Sequence, residues 1–268
     1  MHSGYPLPYP ARAPIRTAFV GGGSGGIGAA VATALSASGH RVVLAGRTES
    51  RLVDTVSRAG GGDLVDHLVC DLSDPAAAAA AVTEVHHRYG TLDVLIVNAG
   101  GPEPGRVLDL TNHAWHEALD LLLVGPLALL RAALPAMADN GFGRCVVVTS
   151  SAVKQPQPGL AASTAMRAAT TAAAKLASLE YADRGVTVNC VAPGATRTAR
   201  RLQILEARAA AAGTDLTTEE ARDHARVPAR RAGDPAEIAA AIAFLASTEA
   251  GYVNGTVLTV DGGRTETV

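Results

Sequence analysis

Apolar positions follow two alternating patterns along the chain. Between Arg16 and Val260, short β-branched runs alternate with longer segments rich in Ala and Leu. Short apolar runs are typical of buried strands, and the longer amphipathic segments are typical of helices. We expect strands near 16–21, 41–45, 65–70, 92–97, 144–149, 186–191 and 256–260, and helices near 26–38, 49–58, 75–89, 111–137, 161–183 and 235–247. Strand-helix alternation of this kind predicts one α/β domain, a doubly wound parallel sheet of about seven strands.

Two segments depart from the alternation. The interval 198–232 is rich in Arg and Ala and contains Gly213 and Pro228. Because it follows the end of a predicted strand, we interpret it as a lid over a ligand, with a plain surface excursion as the alternative. Residues 1–14 carry no basic start followed by an apolar stretch, so they predict a flexible tail rather than a secretion signal. The single domain then spans 15–268.

The net charge and the length of the apolar runs restrict which partners we expect. The chain has 268 residues, 48% of them hydrophobic, and a net charge of -2, which attracts neither nucleic acid nor an anionic membrane. The longest apolar run, Leu121 to Leu130, is shorter than the roughly 20 residues that span a bilayer. It therefore predicts a core helix.

The three cysteines lie far apart, each at or beside an apolar run: Cys70, Cys145 and Cys190. An odd number of scattered cysteines favours buried free thiols over disulfides or a metal site. Free thiols suit a reducing cytoplasm, where we expect the protein to be located.

A glycine-rich loop follows the first predicted strand. In VGGGSGGIGAAVATAL the glycines Gly22, Gly26 and Gly28 have the spacing G-x3-G-x-G, with Ser24 and Ile27 between them. Such glycines let the backbone turn tightly and approach a pyrophosphate, which the N-terminus of the next helix then binds. The position of the loop, after a strand and before a helix, is the one required of a dinucleotide site.

Gly46 and Arg47 follow the second predicted strand. A carboxylate at this place would select NAD and repel a 2′-phosphate, whereas a guanidinium binds that phosphate. We therefore expect NADP(H) to be favoured over NAD(H), unless Arg47 is an ordinary solvated charge.

These motifs resemble, in order, those of the short-chain dehydrogenase/reductase family over about Arg16 to Gly263. The resemblance implies a Rossmann-like fold, a nicotinamide cofactor and a homotetramer or homodimer. It also implies further cofactor-binding residues beyond the glycine loop: Asp71 and Leu72 in CDLSD, Asn98, Ala99 and Gly100 in VNAG, and Pro193, Gly194 and Thr198 in VAPGATRT.

The catalytic set that the resemblance implies is largely replaced. Ser151 matches the family's substrate-orienting Ser, but Ser163 occupies the Tyr position, Arg167 the Lys position and Leu122 the helix Asn position. A Ser hydroxyl is a weaker acid than a Tyr, and an Arg cannot relay protons by losing one. In this interpretation Arg167 holds ribose hydroxyls or an anionic substrate group.

A substitute proton donor is therefore needed. Lys154, in the loop after the fifth strand, is the candidate, because a partly desolvated Lys can shift its pKa toward neutrality. The alternatives are an exposed loop Lys and a ligand for a substrate carboxylate or phosphate. His113, His116 and Glu117 share a helix face, but beside Trp115 they predict a solvated face, and we expect no metal.

Three functions are consistent with these residues. The first is an NADP-dependent ketoreductase or alcohol dehydrogenase with a non-standard catalytic set, acting in secondary metabolism or on acyl-type substrates. The second is a non-redox enzyme of the same fold, such as a dehydratase, cyclase or dehalogenase-like enzyme. The third is a catalytically inactive NADPH-binding sensor or partner subunit.

Overall fold

The computed structural model describes residues 15–267, so the predicted tail at 1–14 lies outside the described residues. Its sheet contains seven parallel strands in the order β3-β2-β1-β4-β5-β6-β7. Their bounds are β1 Thr17–Gly21, β2 Arg41–Gly46, β3 Val65–Val69, β4 Val94–Val97, β5 Gly143–Val148, β6 Val186–Pro193 and β7 Val257–Val260. The predicted doubly wound α/β fold is confirmed.

Helices cover both faces of the sheet. They are α1 Gly26–Ala37, α2 Glu49–Arg58, α3 Pro75–Tyr89, α4 Asn112–Leu119, α5 Gly125–Asp139, α6 Ala161–Glu180, α7 Ala199–Ala212, α8 Leu216–Ala225 and α9 Pro235–Ala246. Strand residues alternate between two cores: Phe19 packs with α3, α5 and α6, whereas Val20 packs with α1 and α9. This alternation reflects the period of two in a strand whose two faces are both covered.

The long helix predicted at 111–137 is one helical segment with a π-helical turn, Asp120–Val124, between α4 and α5. The segment Asn112–Asp139 is long and apolar enough to cross a membrane, but 56% of its most apolar window is buried inside the protein. The interpretation of Leu121 to Leu130 as part of a core helix agrees with this burial.

The cysteines are buried and free, as predicted. Burial raises the pKa of Cys190 to about 12, so its thiol stays protonated at neutral pH. A buried neutral thiol packs as a small apolar group.

Candidate active site

A cavity of about 470 Å³ lies at the carboxyl ends of the strands. The strand order reverses between β1 and β4, and ligands of open α/β sheets bind in the crevice at such a reversal. All but two of the predicted site residues line this cavity: Gly22, Ser24, Gly26, Ile27, Arg47, Asp71, Leu72, Asn98, Ala99, Gly100, Ser151, Ser163, Arg167, Pro193, Gly194 and Thr198. The exceptions are Gly28 and Lys154.

The glycine loop has the geometry of a phosphate cradle. Gly22 and Gly26 have φ angles of 60° and 54°, which favour glycine. Gly25, the N-cap residue of α1, provides no side-chain cap, so the first N–H groups of the helix are available to an anion. Gly28 lies behind the loop, where an added Cβ would stand 2.2 Å from the Gly22 carbonyl oxygen. Its role is therefore close packing of the helix against the loop.

The end of the cavity beside β2 is cationic. Arg47 is exposed at the turn after β2, and Arg51, one helical turn further, lines the same cavity. Asp71 accepts hydrogen bonds from the backbone N–H and the hydroxyl of Ser73, and these bonds lower the pKa of its carboxyl. Two guanidinium groups at this end suit a phosphate, and Arg51 was not predicted from the sequence.

The wall near β4 is built by Asn98. Its Nδ2 donates to the Gly21 carbonyl oxygen at 3.0 Å, which ties the end of β4 to the glycine loop. Thr198 accepts a hydrogen bond from the Arg201 N–H, caps α7 and packs against Gly26. The segment after β6 therefore begins in contact with the phosphate cradle.

Ser163 and Arg167 are one helical turn apart on α6, and they contact each other. Arg167 Nε donates to Ser163 Oγ at 3.3 Å, while its Nη1 and Nη2 donate to the carbonyl oxygens of Val148 and Gly100 at 2.6 and 3.1 Å. Burial, and secondarily the charge of Arg200, lowers the pKa of Arg167 to about 10, so it is still a cation at neutral pH. Since Ser163 Oγ accepts from Arg167, its own hydrogen is available to a substrate oxygen.

Ser151 is 2% exposed, and among residues 15–267 its Oγ has no hydrogen-bond partner. Buried hydroxyls in proteins are almost always hydrogen-bonded, and leaving one unpaired costs free energy. Because Ser151 lines the cavity beside Ser163 and Arg167, its free hydroxyl points to a polar ligand atom.

Lys154, the predicted proton donor, lies outside the cavity lining. It ends the 3-10 turn Ser151–Val153, its side chain is exposed, and it is not among the residues that line the cavity. Its ammonium group is therefore not placed to reach a ligand atom in the cavity.

Leu122 lies in the π-helical turn, where the wider winding frees its carbonyl group. The Thr170 hydroxyl donates a hydrogen bond to this carbonyl oxygen. Both residues are buried, with exposed fractions of 2%. The carbonyl is therefore satisfied by α6 rather than left open toward the cavity.

The interval 198–232 folds into α7 and α8, and it contributes much of the remaining cavity wall. Its lining residues beyond Thr198 were not predicted individually: Ala199, Arg200, Arg201, Ile204, Leu205, Arg208 and Asp223. Asp223 is 4% exposed and accepts hydrogen bonds from Arg201, Arg208 and Arg264. This arginine cluster on Asp223 joins α7 to α8 and to the C-terminal segment.

The histidines near α4 lie away from the cavity. His113 and Glu117 form a largely exposed pair at 3.4 Å. Within residues 15–267, no group of three or more His, Cys, Asp or Glu side chains is arranged to hold a metal ion.

The chain is similar to a large group of reductases. Residues 22–265 match a family model described as enoyl-(acyl carrier protein) reductase. A Streptomyces virginiae protein provisionally named as the ketoacyl reductase of the monensin polyketide synthase is 36% identical over 254 residues, 92% of this chain and 96% of that protein.

Solved structures show the same relationship. An actinorhodin polyketide ketoreductase variant, solved with NADPH, is 31% identical with a TM-score of 0.90, over 94% of this chain and 98% of that one. YwfH, an NADPH-dependent reductase involved in bacilysin biosynthesis, is 29% identical with a TM-score of 0.89, over 95% and 100%.

Proposed function

The chain belongs to the short-chain dehydrogenase/reductase family, and we propose that it is an NADPH-dependent reductase of a carbonyl group. Similar proteins include ketoreductases, and two similar structures are of NADPH-linked reductases. The observation that carries the proposal is the buried, unpaired Ser151 hydroxyl in the wall of the cavity, next to the Ser163–Arg167 pair.

The residues of the cavity suit NADPH. The uncapped start of α1 and the loop of Gly22 and Gly26 would hold the diphosphate. Arg47 and Arg51 would hold the 2′-phosphate by charge-assisted hydrogen bonds, which favours NADPH over NADH. Asp71, Leu72, Asn98, Ala99, Gly100, Pro193, Gly194 and Thr198 would line the rest of the cofactor site.

The two serines would hold the substrate. NADPH, when bound, supplies the hydride that adds to the carbonyl carbon, and the C=O π electrons then move to the oxygen. Ser151 and Ser163 would donate hydrogen bonds to that oxygen as its negative charge develops. Arg167, fixed by two backbone carbonyls, polarises Ser163 and places a positive charge nearby.

The final proton would come from water. Arg167 directs its two Nη groups to the carbonyl oxygens of Val148 and Gly100 and not to the substrate, a Ser hydroxyl is a weak acid, and Lys154 is exposed outside the cavity. A water molecule entering the cavity would transfer its proton to the alkoxide and leave as hydroxide. Without a side-chain acid, we expect slower turnover than in relatives with Tyr and Lys.

We also propose that the α7–α8 segment acts as a lid and, separately, that the protein is a homo-oligomer. The lid is supported by the position of α7 along the cavity wall. The oligomer is supported by two large apolar side chains on α6, Leu176 and Leu179, which are 60% and 64% exposed.

Replacing Ser151 by alanine tests the proposed function. We expect Ser151→Ala to reduce kcat about a hundredfold, the usual cost of losing one donor to a developing oxyanion, with little change in the Kd for NADPH. The measurement is NADPH consumption at 340 nm with a panel of ketones and oxo esters. Lys154→Ala, in the same loop but outside the cavity, is the matched control and should retain wild-type turnover.

The same assay distinguishes the alternatives. Equal turnover of Ser151→Ala and wild type would show that Ser151 does not hold the oxygen. NADPH binding without consumption on any carbonyl would favour the sensor or partner-subunit function. No nucleotide binding would leave the non-redox enzyme.

A further inference from the structure

Arg200 is a half-buried cation in the wall of the cavity. It lies in the first turn of α7, and its guanidinium donates a hydrogen bond to the Pro102 carbonyl oxygen. The Gly101 backbone lies so close that an added Cβ there would stand 2.5 Å from Arg200 Nε. The guanidinium is therefore held between α7 and the loop after β4.

No carboxylate among residues 15–267 lies within ion-pairing distance of Arg200. Its neighbours on α7 differ in this respect, because Arg197 pairs with Asp234, and Arg201 pairs with Asp223 and Glu220. Burial lowers the pKa of Arg200, so the protein itself does not stabilise this charge. A partly desolvated cation without an anion is costly unless a ligand supplies the anion.

A second cation stands close by. After burial, the charge of Arg200 is the second cause that lowers the pKa of Arg167, which means that the two guanidinium groups repel each other. Arg167 also makes no ion pair among the described residues, and it hydrogen-bonds Ser163, a proposed ligand of the carbonyl oxygen. Two like charges beside the reacting group are complementary to a negatively charged substrate.

Apolar side chains contribute to the same cavity. Four large ones line it together with Arg200: Leu121, Leu160, Ile204 and Leu205. An anion with a hydrocarbon chain would satisfy both the guanidinium and the apolar wall, whereas inorganic phosphate would satisfy only the former.

We propose that the substrate is an oxo acid, and that Arg200 binds its carboxylate while Ser151 and Ser163 hold its ketone oxygen. The inference rests on the proposed carbonyl reduction at the same site. It assigns specificity to Arg200: the free acid is preferred over the corresponding neutral ester. Binding the carboxylate also removes the repulsion between Arg200 and Arg167.

Matched acid and ester pairs test this assignment. The probes are 2-oxohexanoate and 3-oxohexanoate, each with its methyl ester, added to the protein saturated with NADP+ for calorimetric binding and with NADPH for turnover. At least one acid should bind about ten- to a hundredfold more tightly than its ester, the usual effect of a charge-assisted bidentate contact. Arg200→Gln should remove this difference, and Arg200→Lys should restore part of it because it keeps the charge.

Arg197→Gln is the matched control on the same helix, since Arg197 pairs with Asp234 and does not line the cavity. It should keep the preference for the acid. The NADPH affinity of Arg200→Gln should equal that of wild type; a parallel loss of NADPH affinity would overturn the proposal and assign Arg200 to the cofactor.

Three further results separate the role of Arg200 from the proposed carbonyl reduction. Ester reduction with no preference for the acid would reject the role of Arg200 and retain carbonyl reduction. Absence of acid binding together with absence of turnover would reject both. Arg200-dependent acid binding without turnover would support the carboxylate site and contradict carbonyl reduction.

Discussion

Gly28→Ala is expected to weaken NADPH binding by about a hundredfold or more and to lower the melting temperature. The new Cβ would stand 2.2 Å from the Gly22 carbonyl oxygen and 2.8 Å from its carbon, so either α1 or the glycine loop must move. Both atoms are backbone, and overpacking of this kind costs about 1–3 kcal/mol. The displaced loop can no longer present the N–H groups of α1 to the diphosphate. Calorimetric titration with NADPH and thermal unfolding measure the two effects.

Gly25→Ala is the control for folding. No atom of the described residues lies within 4 Å of a Cβ at Gly25, and its φ of 160° is extended backbone that any residue adopts. Its melting temperature should equal that of wild type; because Gly25 lines the cavity, the control concerns stability alone. A Gly28→Ala protein that binds NADPH normally would show that the close packing behind the loop is dispensable.

Asp223→Ala is expected to destabilise the protein by about 3–5 kcal/mol, because it leaves three guanidinium groups without their shared buried partner. Arg201 and Arg264 have exposed fractions of 11% and 12%, so water compensates little of the loss. Since the cluster joins α7, α8 and the C-terminal segment, the cavity wall should loosen and the KM for the substrate should rise. Chemical denaturation and steady-state kinetics provide the measurements.

Glu220→Ala, on the same helix, is the matched control. Glu220 pairs with Arg201 but is 47% exposed, so its removal should cost at most about 1 kcal/mol. Similar losses for the two variants would contradict the central position of Asp223 in the cluster.

Acid should weaken the same cluster. Burial alone would raise the pKa of the Asp223 carboxyl, but Arg264, Arg201 and Arg208 together outweigh burial and lower it. A lowered pKa means that the carboxylate stabilises the fold fully above its unfolded value of about 3.9, and that this contribution is lost as the pH falls through the folded value. The stability difference between wild type and Asp223→Ala should therefore be constant near neutral pH and shrink only in strong acid.

The fold could be predicted from the sequence because each element has a regular period and clear ends. Every predicted strand and helix corresponds to one in the structure, within a few residues. The π-helical turn Asp120–Val124 could not be predicted, because its carbonyl hydrogen bond from Thr170 comes from a helix distant in sequence. The 3.6-residue spacing of apolar positions in a helix does not reveal such a contact.

Most residues of the proposed cofactor site could also be predicted from local sequence. Its residues lie at strand ends and in one glycine loop, so local sequence determines their position. The substrate half depends on how α7, α8 and the C-terminal segment pack, which is decided by contacts such as Asp223 with Arg264. Hence the distance along the chain from Ser151 predicts Lys154, whereas no local pattern indicates that Arg200 lines the cavity.

Binding of the two nucleotides is the most direct test of the account. Calorimetric titration of the wild-type protein and Arg47→Ala with NADPH and with NADH measures the cofactor site without any knowledge of the substrate. We expect micromolar binding of NADPH, at least tenfold weaker binding of NADH, and a smaller difference between the two in Arg47→Ala, because the variant keeps only the Arg51 guanidinium for the 2′-phosphate. Failure of the wild-type protein to bind either nucleotide would contradict the proposal that this cavity is the site of an NADPH-dependent reductase.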